Sequence, residues 1–276
     1  HILMMGVATR VKNLILCNGL IPKVLSPIYK LYERQLLSEI RKGPIPKHVG
    51  VILDGNRRWA RMLGKMPWEG HKRGYDRVKE LLEWCHQLNI KVLTLYAFSI
   101  ENFQRPKREV QELMQLVEKG LRELMQNPKI YERRVRVRVI GRLEMLPENV
   151  RKTALELEKR TRNHSNHILN IALAYGGRYE ILDAVRKVLR MVKEGVISID
   201  QIDERIIEKN LYTAGLPKLD LIIRTSGEER LSGFLLWQSI NSELYVCDVY
   251  WPNFRKIDFL RAIRSYQLSR RMVNHN

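Results

Sequence analysis

The chain has 276 residues, 45% of them hydrophobic and 29% charged, which suits a globular core of one large domain or two small ones. Its 49 Lys and Arg outweigh 30 Asp and Glu, and a net charge of +19 points to an anionic partner: nucleic acid, a phosphorylated small molecule or an acidic membrane face. The three cysteines, Cys17, Cys85 and Cys247, form no metal-ligand pair and no disulfide framework, so a reducing, cytoplasmic setting is expected. No apolar run reaches the roughly 18 residues of a membrane span.

Residues 1–43 stand apart, with seven Lys/Arg against two Asp/Glu. Within them "PIYKLYERQLLSEI" reads as an amphipathic helix, either packed on the body or docked at an anionic membrane surface. "RKGPIPKH" (41–48) punctuates the chain as a linker. Strands and helices then alternate. Strand 48–53 leads to a helix over 72–88, where Val78, Leu81, Leu82, Cys85 and Leu88 share one face. Strand 90–98 is followed by helix 107–126, striped by Val110, Leu113, Met114, Val117, Leu121 and Leu124. "RVRVRVI" (134–140) alternates strictly, as a strand does, with its arginines on a solvated face. Helix 147–162, strand 167–174 and helix 178–193 follow. Ser198 and Gln201 form a capping box for helix 199–210. Strands 219–223 and 243–250 and helix 257–267 complete the chain. The pattern predicts an α/β fold: a central, mostly parallel sheet of about six strands with helices on both faces.

Ligands of open parallel sheets bind beyond the carboxyl ends of the strands. The first five strands run into "DGNRRW", "FSIENFQRP", Gly141-Arg142, "YGGR" and "RTSGEERLSGF". All five tails fall on one edge, and each carries arginine, glycine or both. Arg58, Arg105, Arg178, Arg224 and Arg230 offer planar forks that match phosphate oxygens. Gly55, Gly176, Gly177 and Gly227 allow sharp turns or close backbone approach. "NRRWA" reads as a helix start, where free N–H groups favour phosphate. Asp54, amid this positive charge, stays ionised and suits Mg²⁺, which needs only one or two protein carboxylates when phosphate oxygens supply the rest.

Taken singly, these features are weaker. Asp-Gly is usually a plain turn, His71 alone a surface or hydrogen-bonding residue, and Trp237 and Trp251 core. Lys72, Arg73 and Lys79 read as the wet side of a helix. Other chemistries lack support: there is no G-x-x-x-x-G-K-[ST] loop, no G-x-G-x-x-G fingerprint, no zinc-spaced Cys/His pair, no G-x-S-x-G elbow and no aspartate-rich D-D-x-x-D run.

"HVGVILDGNRRWA", "GHKRG", "TLYAFSIENFQRP", "NIALAYGGR", "IIRTSGEERLSGFLLWQ" and "SELYVCDVYWPNF" together resemble the cis-prenyltransferase family, which includes undecaprenyl and dehydrodolichyl diphosphate synthases, in wording closer to archaeal members. The likeness runs from about 44 to 265 in unbroken motif order. It implies a six-stranded parallel core with a hydrophobic tunnel, walled by helices 72–88 and 107–126, and a homodimer. The implied reaction is sequential, Mg²⁺-dependent condensation of isopentenyl diphosphate onto a farnesyl or geranylgeranyl diphosphate starter, with cis double bonds. The product would be a long, undecaprenyl-like chain for glycosyl carrier lipid.

Position by position, the resemblance makes Asp54 the magnesium aspartate. Gly55, Asn56, Arg57 and Arg58 become the allylic diphosphate cradle, flanked by Trp59 and His71. Ser99, Ile100, Glu101, Phe103 and Arg105 form a second substrate cluster, within which Asn102 takes part in proton removal. Arg224, Arg230, Leu231 and Ser232 form the isopentenyl diphosphate site. Glu243 becomes a second magnesium carboxylate, reaching across the dimer interface. Departures from bacterial members fall at Arg57, Pro67, Ala174, Glu229 and "SGF" (232–234), and bear on the starter.

The resemblance divides the chain into the basic amphipathic extension 1–43 and a single catalytic domain, 44–276. Two rivals differ in class. A non-catalytic accessory subunit would lack the aspartate and arginine clusters, which this chain has. A nucleic-acid binder would explain the charge, but no recognised nucleic-acid motif is present, so none is expected as partner. A cytoplasmic protein in peripheral contact with acidic lipid accounts for the excess charge.

Overall fold

A computed structural model describes residues 26–273; the first part of the basic extension, 1–25, and Cys17 with it, lies outside them. The helix expected in the extension, α1, covers Ser26–Ile40. It buries Leu36 and Ile40 against the last helix, α9 (Lys256–Val273), each worth about 1.5–3 kcal/mol of transfer free energy. The seam is pinned by Gln267 Nε2, which donates to the carbonyls of Ile40 (2.8 Å) and Pro44 (3.1 Å).

Six strands form one sheet in the order β3-β4-β2-β1-β5-β6. They are β1 (His48–Ile52), β2 (Val92–Ser99), β3 (Val135–Ile140), β4 (His167–Tyr175), β5 (Leu221–Thr225) and β6 (Glu243–Cys247). Every pairing is parallel, so all carboxyl ends lie on one edge. The side-chain period of two divides the sheet's faces. Val49 and Val51, Leu93 and Leu95, Leu169 and Ile171, and Leu221 and Ile223 face the larger core. That core is closed by α1, α3 (Pro67–Gln87), α4 (Lys107–Gln126), α6 (Glu148–Thr161) and α9. Ile52, Ala172 and Ile222 face a smaller cluster with Phe234 and Leu235, beneath the irregular segment that follows β5. The remaining helices are the short α2 (Asn56–Met62) and α5 (Pro128–Glu132), then α7 (Gly177–Lys193) and α8 (Glu204–Glu208).

Local chemistry explains where elements depart from expectation. Helix α3 starts at Pro67 rather than 72, because proline suits the first helical position and Glu69 caps the Met66 N–H at 2.9 Å. The helix expected over 199–210 breaks. Ser198–Gln201 closes a 3₁₀ turn, and Asp203 then accepts from Ile206 N–H at 2.8 Å and starts α8 afresh. The expected strand 219–223 lies two residues later, at Leu221–Thr225, and β6 stops at Cys247 rather than 250. Helix α9 continues to Val273. Among the described residues no helix is long and apolar enough to cross a membrane.

Candidate active site

The tail of β1 turns on Gly55. Its φ of 103° is left-handed, and a Cβ there would lie 2.9 Å from the Tyr250 side chain, so only glycine fits. The turn presents Asp54 at the sheet edge, where Oδ1 accepts from Gly55 N–H (2.7 Å). Oδ2 accepts from Arg58 (3.2 Å) and Arg224 (3.0 Å). Burial alone would raise the Asp54 pKa; the Arg58 and Arg224 guanidiniums outweigh it and hold the carboxyl below its usual value. Arg58 also bonds Ser226 Oγ and Glu228 (3.1 Å), and Arg224 holds Ser232 Oγ (2.8 Å) and the Arg230 carbonyl.

A second cluster surrounds Glu109, which the sequence reading passed over. This carboxylate is only 3% exposed. Its Oε1 accepts from Arg57 Nε (3.3 Å), Arg105 (3.2 Å) and His71 Nε2 (3.3 Å), drawing two tails and one helix together. Burial works against its charge, yet His71, Arg105 and Arg57 hold its pKa below the ordinary value. His71 is itself lowered, by burial first. An acid in the first turn of a helix is commonplace, so the sequence offers little signal for Glu109. Glu180, in the first turn of α7, was missed in the same way. Fully buried, it accepts from Tyr175 Oη, Tyr212 N–H (2.8 Å) and Gln238 Nε2 (2.9 Å), and so ties β4 to the segment after β5.

Between these clusters opens a cavity of about 760 Å³. Asp54, Asn56, His71, Ser99, Glu101, Asn102, Arg105, Arg178, Arg224 and Ser232 line its mouth. Asn102 Oδ1 accepts from Ser99 N–H at 3.1 Å, which fixes its side chain at the rim. Below the mouth the lining turns apolar, with Val78 and Leu82 from α3, Leu113, Val117, Leu121 and Leu124 from α4, and Leu169, Ile171 and Leu173 from β4.

Other expected site residues sit elsewhere. Trp59 is buried against Ala60 and Tyr250, with its indole N–H bonded to Asn253 (3.0 Å), outside the cavity lining. Phe103 packs edge-on against Phe98. Ile100 is half-buried, about 3.6 Å from where a side chain on Gly176 would begin, and Leu231 packs on the smaller core cluster. Arg230 is mostly exposed and pairs with Glu228 (3.3 Å). Arg142, on the third tail, turns away to Asp183 (2.8 Å). Glu243, expected to act across a dimer interface, lies far from Asp54 of its own chain. It starts β6, level with Leu221, at the opposite end of the sheet from Asp54, and accepts from Ser269 Oγ (2.9 Å).

The residues fit magnesium in one mode only. Among the described residues no three His, Cys, Asp or Glu side chains gather as a metal cage. Asp54 alone, lining the mouth beside arginines that match phosphate, suits an ion that takes one carboxylate and fills its shell with water and phosphate oxygens.

A charged mouth on an apolar cavity suits a lipid diphosphate, and the family is settled by similarity. Residues 52–274 match the family described as "Putative undecaprenyl diphosphate synthase". The chain belongs to the undecaprenyl diphosphate synthase family. Tritrans,polycis-undecaprenyl-diphosphate synthase (geranylgeranyl-diphosphate specific) of Archaeoglobus fulgidus is 55% identical over 240 residues, 87% of this chain and 96% of that protein. The protein of the same name from Thermococcus kodakarensis is 55% identical over 252 residues, 91% and 96% of the two chains. Among solved structures, lavandulyl diphosphate synthase from Lavandula x intermedia in complex with dimethylallyl diphosphate superposes with a TM-score of 0.78 at 36% identity, covering 83% of this chain and 96% of that one. A "probable undecaprenyl diphosphate synthase" from Campylobacter jejuni gives 0.66 at 32%, covering 81% and 95%. The six motifs therefore identified the cis-prenyltransferase family correctly, and with it the parallel α/β fold.

Proposed function

We propose that this family member extends geranylgeranyl diphosphate by successive cis condensations of isopentenyl diphosphate, giving a long polyprenyl diphosphate. The observation that carries the reading is the cavity, cationic at its mouth and apolar within. The archaeal relatives' names favour geranylgeranyl over farnesyl diphosphate as starter.

In each cycle the allylic C1–O bond breaks and diphosphate leaves. The isopentenyl π electrons form the new C–C bond, and one proton is lost. Arg57, Arg58 and the Gly55–Asn56 turn hold the allylic diphosphate, oriented by Glu109 from behind. Arg224, Arg230 and Ser232 hold the isopentenyl diphosphate alongside. Fixing the two reactants side by side removes much of the entropic barrier. Donors already in place meet the charge that builds on the leaving oxygens without reorganising. Asp54 would hold Mg²⁺, which neutralises leaving diphosphate as a Lewis acid. Asn102, held by the Ser99 N–H, would help the departing proton pass to a diphosphate oxygen.

Further readings concern partners. Helix α7 exposes Tyr179, Leu182, Val185 and Leu189, an apolar stripe suited to a second copy of the chain, and Glu243 could serve a metal only through such a partner. Light scattering that returns a monomer contradicts this. Helix α1 exposes Ile28 and Leu31 beside Lys30 and Arg34, a face suited to acidic lipid; vesicle co-sedimentation indifferent to lipid charge contradicts that.

The deciding experiment incubates the protein with Mg²⁺, isopentenyl diphosphate and each starter in turn, and sizes the products by mass spectrometry. Geranylgeranyl diphosphate is expected to give the highest kcat/KM and Asp54→Ala to abolish turnover. Equal use of all starters removes the starter assignment, and an active Asp54→Ala removes the metal site.

A further inference from the structure

The tails of β2, β4 and β5 meet at the cavity mouth, and one side chain touches all three. Tyr96, in β2, lines the cavity beside Ser99, Gly176, Ser232 and Gly233. Its Oη donates to the Ser232 carbonyl at 3.2 Å, lies 3.5 Å from the Tyr175 carbonyl and accepts from the Ser99 hydroxyl. Its ring stacks on Phe234, with centroids 4.8 Å apart, and meets Tyr175 edge-on at 5.7 Å. Strand β2 is irregular here: its register with β4 slips between Tyr96 and Phe98 and again between Phe98 and Ser99. Leu93 and Leu95 face the larger core, so strict alternation would send both Tyr96 and Phe98 to the smaller cluster. The slip leaves Tyr96 there and returns Phe98 to the larger core. Such irregularities are common beside active sites, where they re-aim side chains.

The hydroxyl acts on a strained residue. Ser232 has a left-handed φ of 49°, and Gly233 beside it has 81°. A serine in that region is costly and persists only where its neighbours hold it. Its own hydroxyl accepts from Arg224 at 2.8 Å. Two successive carbonyls fix the backbone: Tyr96 Oη binds that of Ser232, and the Gly177 N–H donates to that of Gly233 at 2.7 Å. Without the Tyr96 bond the Ser232 peptide can turn and carry its hydroxyl away from Arg224. Burial, first, raises the Tyr96 pKa above the ordinary value, so the group stays a donor at neutral pH.

We propose that Tyr96 is a positioning residue for the isopentenyl diphosphate site: its hydroxyl holds the Ser232 peptide in the left-handed conformation and so keeps the Ser232 hydroxyl and Arg224 aligned for phosphate. The inference rests on the prenyltransferase reading above and adds to it a residue that acts through Ser232. Through Ser99 the same hydroxyl ties this site to the segment that carries Asn102.

The test is steady-state kinetics for both substrates in wild type, Tyr96→Phe, Ser232→Ala and the double variant. Tyr96→Phe keeps the ring and its stacking on Phe234 and loses only the hydroxyl. It is expected to raise KM for isopentenyl diphosphate about five- to tenfold, the net worth of one hydrogen bond, while KM for the allylic diphosphate and the thermal unfolding midpoint stay unchanged. The double variant is expected to match Ser232→Ala, because the tether then has no hydroxyl left to position. Three results overturn the positioning role while wild-type turnover upholds the enzymatic reading: a Tyr96→Phe variant with wild-type KM, one that raises both KM values together, or one whose effect adds in full to that of Ser232→Ala. A wild type that extends no starter overturns the enzymatic reading and the positioning role with it.

Discussion

At the amino-terminal end of the sheet, polar groups are buried and mostly matched, the Asn170 Oδ1 being an exception. His48 Nδ1 donates to the Pro217 carbonyl (3.0 Å) and its Nε2 accepts from Thr94 Oγ1 (2.7 Å), while Asn170 donates to the same hydroxyl (3.0 Å). Asp220 accepts from the Lys47 and His48 N–H groups (2.7 and 3.1 Å). At the carboxyl-terminal end, Arg57, Arg58, Arg105, Arg178, Arg224 and Arg230 gather with Asp54, Glu109 and Glu228, leaving cationic capacity unmatched. Left-handed non-glycine residues occur at both ends, with Asn89 and Arg134 just before β2 and β3. Ser226, Ser232 and Leu235 adopt left-handed φ values of 74°, 49° and 43° in the segment that carries Arg230. Left-handed non-glycine residues are costly and persist where the surroundings enforce them. The same strands therefore end in two kinds of polar chemistry: one largely paired within the protein, the other with an excess of cations suited to an anion.

Substitutions can break this contrast. After the loss of Asp54, the largest effect is expected at Arg224, which holds Asp54, Ser232 and the Arg230 carbonyl at once. Arg224→Ala is expected to lower kcat/KM for isopentenyl diphosphate about 10²–10³-fold, as loss of a preorganised donor does; steady-state kinetics check this.

The amino end predicts stability rather than rate. Burial lowers the His48 pKa to about 4, so the native state favours the neutral ring. The unfolded chain binds more protons between about pH 6.5 and 4, and stability is complete above that window and falls through it by about 3 kcal/mol. Urea unfolding across that range measures the slope, and His48→Gln is expected to flatten it without altering kcat at neutral pH.

Glu109→Gln keeps the shape and one acceptor but removes the charge that orients Arg57, Arg105 and His71. It is expected to raise KM for the allylic substrate about tenfold, roughly 1.4 kcal/mol, while KM for isopentenyl diphosphate changes little. Equal changes in both would mark a merely structural role. The smallest effect belongs to Arg230→Ala on the exposed rim: about a threefold loss in kcat/KM that vanishes at high salt.

The fold was legible because its signals are local. Alternation placed β3, apolar stripes placed α3 and α4, and strand–helix alternation made the sheet parallel. The mouth was legible because parallel strands bring their tails to one edge, so Asp54, Arg105 and Arg224 could be grouped before any coordinates. Glu109 and Glu180 were not, because an acid at a helix start looks the same whether it faces water or three converging donors. Trp59 was named through the resemblance alone, and the α2 turn points its ring to Tyr250, outside the cavity lining. Glu243 begins β6 and so lies a sheet's height from Asp54 of its own chain, which leaves its expected role to a partner copy.

The most direct test is a crystal structure with Mg²⁺, isopentenyl diphosphate and a non-hydrolysable geranylgeranyl diphosphate analogue. The metal is expected about 2.1 Å from an Asp54 carboxylate oxygen. It should bridge to a phosphate oxygen, with Arg58 and Arg224 turned to the two diphosphates and the tail inside the cavity. Diphosphates bound away from this edge, or a metal with no bond to Asp54, would contradict the account.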